Sequence, residues 1–218
     1  MTISVMRGNP AVERPRRGRP KLVPDEAQRA HVVEAARRLF VKKGYGSTTT
    51  GDVAAAARIS KQTLYRLFPS KPALFAAVVD TNRQSLLALP GDYDSLPVQQ
   101  ALELMLKANI NQRAHQESLA LIQILLSEAQ QSAELMRIAR QHGADPSRHE
   151  LAKWLAEQQK RGRIVVEDAD TAAGVLLDMT IGSIVLRMNI GRKAPSLREY
   201  EDHVQRCVAL FLNGVLPR

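Results

Sequence analysis

Short helices that begin at capping residues are the feature that most constrains how this chain can fold. Thr49, Ser60 and Ser70 are good N-cap residues, and Asp52 follows Thr49 at the spacing of a capping box. These signals predict two helices of about two turns each, the second over 61–67, joined by a tight turn. Helices this short need tertiary packing to be stable, so the segment is predicted to form a helix-turn-helix within a larger helical domain.

The flanking sequence predicts the remaining helices. From Asp25, apolar residues recur every three or four positions up to Phe40, and Gly44 ends that helix because glycine readily takes a positive φ. Ser70 caps a fourth helix that runs to about Leu87. We find no convincing strand, so the predicted fold class is all-α, with an N-terminal three-helix domain and a C-terminal helical bundle. The bundle helices are predicted at 97–113, 117–130, 132–142, 147–162, 169–190 and 197–213, with breaks at His115, Gln131, HGADP, GRIVVED and GRKAPS.

Charge separates the chain into unlike parts. The net charge is +9, and the residues before Pro90 hold about 16 Lys and Arg against 6 Asp and Glu, so the remainder is nearly neutral. A basic module joined to a neutral one favours a polyanion as the partner of the first part. The lone Cys207 fits a reducing compartment. We recognise neither a secretory signal nor a membrane span, and we expect a cytoplasmic protein without a membrane partner.

The third helix carries the side chains that indicate a chemistry. Leu64 and Phe68 are four residues apart and predict its buried face. In a helix-turn-helix, the N-terminal residues of the second helix contact base edges in the major groove, where Gln pairs with adenine and Thr contacts thymine. For each polar residue singly, a merely solvated surface position is the alternative. The predicted base contacts are Gln62, Thr63 and Lys61, and the predicted phosphate contacts are Thr49, Thr50, Tyr65, Arg66 and Lys71.

Residues 1–24 are predicted to be a disordered basic arm, because prolines recur there and no apolar period is present. Arg17, Gly18, Arg19 and Pro20 resemble the core of an AT-hook. An extended Arg-Gly-Arg segment fits the narrow minor groove of A·T-rich DNA, and Gly18 would let the backbone lie deep in that groove. The alternative is an unstructured tail that adds only nonspecific charge attraction.

The run AARRLFVKKGYGSTTTGDVAAAARISKQTLYRLFPSKPALF resembles the N-terminal signature of the TetR family of bacterial transcription regulators, over about 31–79. The resemblance implies that Gln62 and Thr63 read bases. It also implies that Thr49, Tyr65 and Lys71 hold phosphates.

Two positions depart from the family pattern. Arg58 stands where the turn usually has glycine, so either the turn is strained by roughly 1–2 kcal/mol or its geometry differs slightly. Leu67 stands where a His or Tyr often adds a phosphate contact, and we expect Arg66 to compensate.

The resemblance further implies a C-terminal ligand and dimerisation domain whose last two helices pack against a second copy. The segment LIQILLSEAQQSAELMRIARQHG resembles the AefR-like branch of the family. Two patterns agree with a dimer face, although each fits the chain's own core as well. They are the stripe Leu197, Tyr200, Val204, Cys207 or Val208, and Phe211, and the small residues Ala172, Ala173, Gly182 and Ser183.

An effector pocket is predicted inside this domain. Its candidate residues are mostly apolar and flexible, which favours a hydrophobic or aromatic small molecule, although each also fits ordinary core or surface. We recognise no catalytic motif or metal-ligating pattern among the five histidines, so no cofactor or metal is expected. The candidate pocket residues are Met105, Asn109, Gln112, Ile122, Leu126, Trp154 and Met179.

These observations lead to one functional prediction and two alternatives. The arm (1–24), a helix-turn-helix domain (25–70) and a ligand and dimerisation domain (71–218, connecting helix 71–87) predict a dimeric, ligand-responsive regulator, most readily a repressor. It would bind a palindromic operator and be released by a small hydrophobic molecule. One alternative is an architectural protein that coats A·T-rich DNA; the other is an all-α enzyme or carrier that uses the helix-turn-helix only incidentally.

Overall fold

The computed structural model describes residues 25–107, 111–130 and 132–215, and the regular structure in these ranges is helical throughout. The all-α prediction is confirmed. The arm residues Arg17, Gly18 and Arg19, and the pocket candidate Asn109, lie outside the described residues. The helices are α1 Asp25–Lys43, α2 Thr50–Ala56, α3 Lys61–Leu67, α4 Lys71–Leu86, α5 Val98–Lys107, α6 Gln112–Ala129, α7 Ala133–Ala139, α8 Asp145–Lys160, α9 Ala169–Leu177, α10 Ser183–Asn189 and α11 Leu197–Val215.

Side-chain caps start the short helices where the sequence predicts them. The hydroxyl of Thr49 accepts a hydrogen bond from the Asp52 amide at 3.1 Å, and the Asp52 carboxylate accepts one from the Thr49 amide at 2.9 Å. This reciprocal pair is the predicted capping box. Ser60 caps α3 through the Thr63 amide at 3.0 Å, and Ser70 caps α4 in the same way. The caps satisfy amides that a two-turn helix would otherwise leave unpaired.

One apolar core fixes the helix-turn-helix. The ring of Phe40 on α1 packs edge-on against Phe75 on α4, with ring centroids 5.2 Å apart. Val53 of α2 and Leu64 of α3 are each 1% exposed in this core. The core also includes buried residues of α6 and α7, namely Leu121, Ala129, Leu135 and Ile138. The position of α3 therefore depends on packing that reaches beyond the three N-terminal helices.

A second core joins α5, α6 and α8 to α11, and it corrects the sequence analysis on the dimer stripe. Tyr200, Val204, Val208 and Phe211 are all buried within the chain, and the Tyr200 hydroxyl donates to the Leu106 carbonyl at 2.8 Å. The stripe is therefore the chain's own core, and the prediction that it faces a partner is wrong. Helical periodicity identifies an apolar face, but it does not say which chain covers that face.

Two predicted breaks are also wrong. His115 lies inside α6, because Asn111 caps the helix earlier by accepting from the Ala114 amide at 2.9 Å. The segment HGADP does not interrupt the helical path either. A π-helical turn, Arg140–Ala144, carries α7 into α8, and Pro146 lies in the first turn of α8. Proline is tolerated there because the Asp145 amide bonds to the Arg140 carbonyl, five residues back, and so interrupts the α-type hydrogen-bond pattern just before Pro146, which has no amide to donate.

The segment Ala169–Asn189 is long and apolar enough to cross a membrane by length and composition alone. It consists of α9, a π-helical turn over Asp178–Gly182, and α10. Only 22% of its most apolar window is buried inside the chain. Large apolar side chains on this segment and on α11 therefore remain at the surface.

Candidate nucleic-acid interface

The N-terminus of α2 and one side of α3 form a single polar surface, which we call the reading surface and define as Thr49, Thr50, Lys61, Gln62, Thr63 and Tyr65. The hydroxyls of Thr50 and Tyr65 lie 3.0 Å apart and connect the two helices. This pair shares one hydrogen, so the second hydroxyl hydrogen remains available to an anion. Tyr65 is 49% exposed, whereas the neighbouring Leu64 is buried. The structure thus brings together most of the predicted DNA contacts.

The residues predicted to read bases lie at the exposed start of α3. Lys61 and Gln62 are exposed, and Thr63 is partly exposed. The Thr63 hydroxyl lies 2.9 Å from the Ser60 hydroxyl, which fixes its position. Within the described ranges, the side-chain amide of Gln62 makes no hydrogen bond to the protein. Its donor and acceptor are therefore both free for a base edge.

Thr49 is held more tightly than the sequence suggests. Its hydroxyl donates to the Asp52 carboxylate at 2.9 Å while accepting from the Asp52 amide. These hydrogen bonds from Thr49 hold the pKa of Asp52 below its usual range, so Asp52 is ionised and the box is complete at neutral pH. The Thr49 hydroxyl hydrogen is therefore committed to the cap.

Both predicted phosphate-binding cations of this domain have protein partners. Arg66 donates to both carboxylate oxygens of Asp25, at 2.7 and 3.0 Å. The Lys71 ammonium donates to the Gly46 carbonyl at 3.3 Å and lies 4.1 Å from the centre of the Tyr45 ring. Burial lowers the pKa of Lys71. Arg66 could contact a phosphate only by giving up its ion pair with Asp25. Lys71, in contrast, keeps ammonium N–H donors free beside the loop that precedes α2.

The two departures from the family pattern have clear structural counterparts. Arg58 has φ of 54°, so the turn keeps the conformation that glycine favours and the strained alternative is correct. Leu67 is 4% exposed and contributes only its backbone carbonyl, which accepts a hydrogen bond from Arg29. The Leu67 side chain therefore adds nothing to the reading surface.

Contacts that sequence reasoning missed connect α6 to the N-terminal domain. Arg37 of α1 forms an ion pair with Glu117 of α6, and the hydrogen bonds that Arg37 donates to Glu34 and Glu117 raise its pKa. Near the end of α6, the Glu128 carboxylate accepts from the Gly46 amide at 3.2 Å. These contacts cannot be predicted from local sequence patterns, because each joins residues 80 or more positions apart. Any displacement of α6 therefore acts directly on α1 and on the loop before α2.

The predicted pocket residues do not converge on one cavity. Trp154 lines a groove of about 550 Å³ between α8 and the segment Leu89–Gly91, and its indole N–H has no hydrogen-bond partner in the described structure. At the groove, Arg83 of α4 forms an ion pair with Glu150 at 2.8 Å. Of the others, Met105 is core, Ile122 packs on the same core, Leu126 and Met179 are partly buried, and Gln112 accepts from the Leu197 amide.

One histidine–cysteine pair was missed although its spacing of four residues is visible in the sequence. His203 Nε2 lies 2.9 Å from the Met179 carbonyl and 2.9 Å from the Ser183 hydroxyl. Cys207 Sγ lies 3.5 Å from the same nitrogen and 3.3 Å from the same carbonyl. These side chains and the Ser183 hydroxyl, which donates at 2.9 Å, all lie within hydrogen-bond reach of the Met179 carbonyl in the π-helical turn. Among the described residues, no group of three or more His, Cys, Asp or Glu side chains could hold a metal ion.

Comparison with known proteins agrees with this geometry. Residues 32–78 match the model of the tetR family of bacterial regulatory proteins, and residues 100–214 match the AefR-like transcriptional repressor C-terminal domain. The chain is 27% identical over 192 residues to the uncharacterized HTH-type transcriptional regulator YvkB of Bacillus subtilis (strain 168), covering 84% of this chain and 95% of that one.

Solved structures give the same result. The chain superposes on the flavonoid-responsive regulator FrrA with a TM-score of 0.60 at 27% identity, covering 88% of this chain and 99% of FrrA. A TetR transcriptional regulator from Agrobacterium tumefaciens gives a TM-score of 0.67 at 23% identity, covering 90% and 97%. Because the family models match both domains, this chain belongs to the TetR family of DNA-binding transcriptional regulators, with a C-terminal domain of the AefR-like type.

Proposed function

We propose that this regulator is a dimeric repressor that reads a palindromic operator with α3 and releases it when a small aromatic molecule binds. The observation that carries the proposal is the Gln62 side-chain amide, which has no partner among the described residues and lies beside Thr63 on the exposed start of α3. Each protomer would place α3 in the major groove of one half-site, with half-site centres about 34–36 Å or a multiple apart. Selection of bound duplexes from a random pool tests this. It should recover an inverted repeat.

Base reading and backbone binding fall to different residues of the reading surface. Gln62 would pair with adenine, Thr63 would contact a thymine methyl or a base edge, and Lys61 would reach a guanine. The Thr50 and Tyr65 hydroxyls would hold one phosphate, since one of their hydrogens remains available. Thr49 would act through its place at the start of α2, where backbone amides and the helix dipole attract an anion. Arg66 would join only by exchanging Asp25 for a phosphate.

Replacing Lys71 with Ala is expected to weaken binding to operator and random duplexes alike, by roughly 3- to 10-fold at low salt. Lys71 would contact a phosphate, and phosphates are the same in every sequence. The slope of log K against log salt should become shallower by about 0.9. Fluorescence anisotropy at several salt concentrations measures both quantities.

Lys153→Ala is the matched control, because Lys153 is an exposed lysine on α8, away from the reading surface. Its salt slope should equal that of the wild type. A loss for Lys71→Ala on the operator alone would contradict the phosphate role and point to base reading.

The dimer face that we propose consists of Val175, Leu186, Ile190 and Leu210, which are large apolar residues between 46% and 65% exposed. They lie on α9, α10, the residue after α10, and α11, and α11 folds back along the π-helical turn through His203 and Cys207. A second copy would cover this surface, as isologous dimers do by presenting the same face twice. The exposed part of Ala169–Asn189 then serves association between copies.

The proposed effector is a hydrophobic or aromatic molecule, and the groove beside Trp154 is its candidate site. The volume of about 550 Å³ suits a drug-sized ligand, with Leu89, Pro90 and Trp154 as apolar walls beside a largely charged face of α8. The indole N–H is itself buried, so the ligand would contact the ring of Trp154 rather than this donor. FrrA, at 27% identity, is flavonoid-responsive, which supports an aromatic class with hydroxyl and carbonyl groups. Met105, Ile122, Leu126 and Met179 would enter only if the bundle opens.

Flavonoid binding is expected to quench the fluorescence of Trp154, which is the only tryptophan of the chain. Quercetin serves as the probe, since an aromatic ring packed against the indole changes the emission. Titration of quercetin should quench the wild type in a saturable way and release bound operator. The same titration of Trp154→Phe should release the operator only at higher quercetin concentration. Equal release from both proteins would exclude this groove.

The groove and the reading surface are connected through α4 and α6. Arg83 links α4 to Glu150 at the groove, and Glu117 and Glu128 link α6 to α1 and to the loop before α2. An effector that prefers a displaced arrangement of α4 and α6 would change the separation of the two α3 helices in the dimer. It acts only by binding that arrangement more tightly than the DNA-bound one.

The basic arm would add affinity for A·T-rich flanks of the operator through Arg17, Gly18 and Arg19. If the arm and its charge dominated binding, the protein would be an architectural protein that coats A·T-rich DNA without a defined operator. The reading surface favours the regulator, because coating DNA does not require free base-pairing groups on α3. The regulator would act in the cytoplasm, where its DNA lies.

A further inference from the structure

The turn between α2 and α3 holds an arginine in a conformation that suits glycine. Arg58 has φ of 54°, whereas the other described residues with positive φ are Gly44, Gly162 and Gly191. An L side chain in this region clashes with its own backbone, so the turn is less stable than it would be with glycine.

The hydrogen bonds of the turn explain why the conformation is kept. The Ile59 amide donates to the Ala54 carbonyl at 3.0 Å, and the Arg58 amide donates to the Ala55 carbonyl at 3.1 Å. This is the Schellman pattern that ends a helix, and it needs a left-handed residue at the position of Arg58. The fold therefore requires the conformation, but nothing in the fold requires an arginine to adopt it.

The Arg58 side chain contributes nothing to the fold that offsets this cost. It is exposed, and within the described ranges it makes no hydrogen bond or ion pair. Neighbouring Arg66, by contrast, is held by both oxygens of Asp25, and Arg29 lies over the ring of Phe68. Among the described residues, Arg58 is thus a cation without a partner beside the reading surface. Backbone strain that no structural contact of the residue offsets points to a functional role.

Its location supplies the partner. Arg58 lies two residues before Ser60, the N-cap of α3, and so within about 7.6 Å of it from Cα to Cα. In the proposed docking, the start of α3 enters the major groove, whose walls are the phosphates of the two strands. We propose that Arg58 binds a backbone phosphate at the edge of that groove. The proposal rests on the proposed function of α3 as the reading helix.

This contact would add a phosphate ligand to a surface to which Leu67, buried at the far end of α3, contributes no side chain. A guanidinium suits it, since its planar donors match two phosphate oxygens at once. The contact carries no sequence information, so Arg58 would be a positioning residue that fixes how deep and at what angle α3 enters the groove.

Arg58→Gly and Arg58→Asn test this, since both substituents tolerate positive φ and neither is charged. Stability is measured by urea unfolding, and binding by anisotropy on the selected operator and on a random duplex at several salt concentrations. We expect Arg58→Gly to unfold at the same or a higher urea concentration than the wild type. We expect both variants to bind both duplexes roughly 3- to 10-fold more weakly at low salt, with a salt slope shallower by about 0.9.

The outcomes separate this proposal from the one on which it rests. If the wild type binds DNA and both variants bind it equally well with an unchanged slope, Arg58 makes no phosphate contact. A loss confined to the operator would equally overturn the phosphate role. If the wild type itself binds no duplex, the proposed function fails. Binding is measured well below the unfolding transition, so a change in stability does not mimic a loss of contact.

Discussion

Replacing Gln62 and Thr63 together with alanine is expected to weaken operator binding by about 2–4 kcal/mol, or roughly 30- to 1000-fold. Both side chains lie at the exposed start of α3, and the Gln62 amide has no partner in the described part of the protein. A side chain that pairs with a base edge contributes about 1–3 kcal/mol of discrimination. Binding to random DNA should change little, because phosphate contacts supply it.

The control is the pair Gln123→Ala and Thr81→Ala, which removes the same two side-chain types from exposed positions on α6 and α4. Both duplexes should bind this control as they bind the wild type. A repeated selection with the Gln62 and Thr63 variant should also return a relaxed consensus at the affected bases. Equal losses on operator and random DNA would mean that these residues do not read bases.

Placing a charge on the proposed dimer face is expected to abolish the dimer and to reduce operator affinity by about 100-fold or more. Leu186 and Leu210 are 64% and 65% exposed on α10 and α11, so Leu186→Glu with Leu210→Glu should not disturb the fold of one chain. In a dimer, these carboxylates would be buried opposite their own copies, which is strongly unfavourable. A monomer binds only one half-site. It therefore loses the increase in affinity, about 10²–10⁴-fold, that comes from linking two binding units.

Val165→Glu is the matched control, because Val165 is 61% exposed but lies in the loop between α8 and α9, away from that face. Analytical ultracentrifugation should find the control dimeric and the double variant monomeric at the same concentration. If the double variant stays dimeric, another surface joins the copies. Unchanged helix content by circular dichroism would confirm that a monomer is still folded.

Much of the helix-turn-helix could be predicted from sequence because its determinants are local. Thr49, Asp52 and Ser60 accept from amides three residues away, so the caps are visible in a short window. The conflict at Arg58 was visible for the same reason, since it lies within one turn. Thr50 and Tyr65, both predicted phosphate contacts, lie together because α2 and α3 pack against each other.

The sequence did not disclose which surfaces face each other. The α11 stripe with Tyr200 and Val204 has the spacing of any buried helix face, and only the fold assigns it to the chain's own core. Partners such as Asp25 for Arg66 and Gly46 for Glu128 are set by tertiary packing, which local patterns do not encode. His115 was mistaken for a break because the stronger signal, the Asn111 cap, lies four residues earlier.

Selection of bound duplexes from a random pool, at about 0.15 M salt, tests most directly whether α3 reads DNA as part of a dimer. Our account predicts an inverted repeat whose half-site centres lie one or two helical turns apart. The same selection with the Gln62 and Thr63 variant should lose the consensus within each half-site. An enrichment of A·T-rich sequence without a repeat would contradict the account, because binding would then depend on the basic arm rather than on α3.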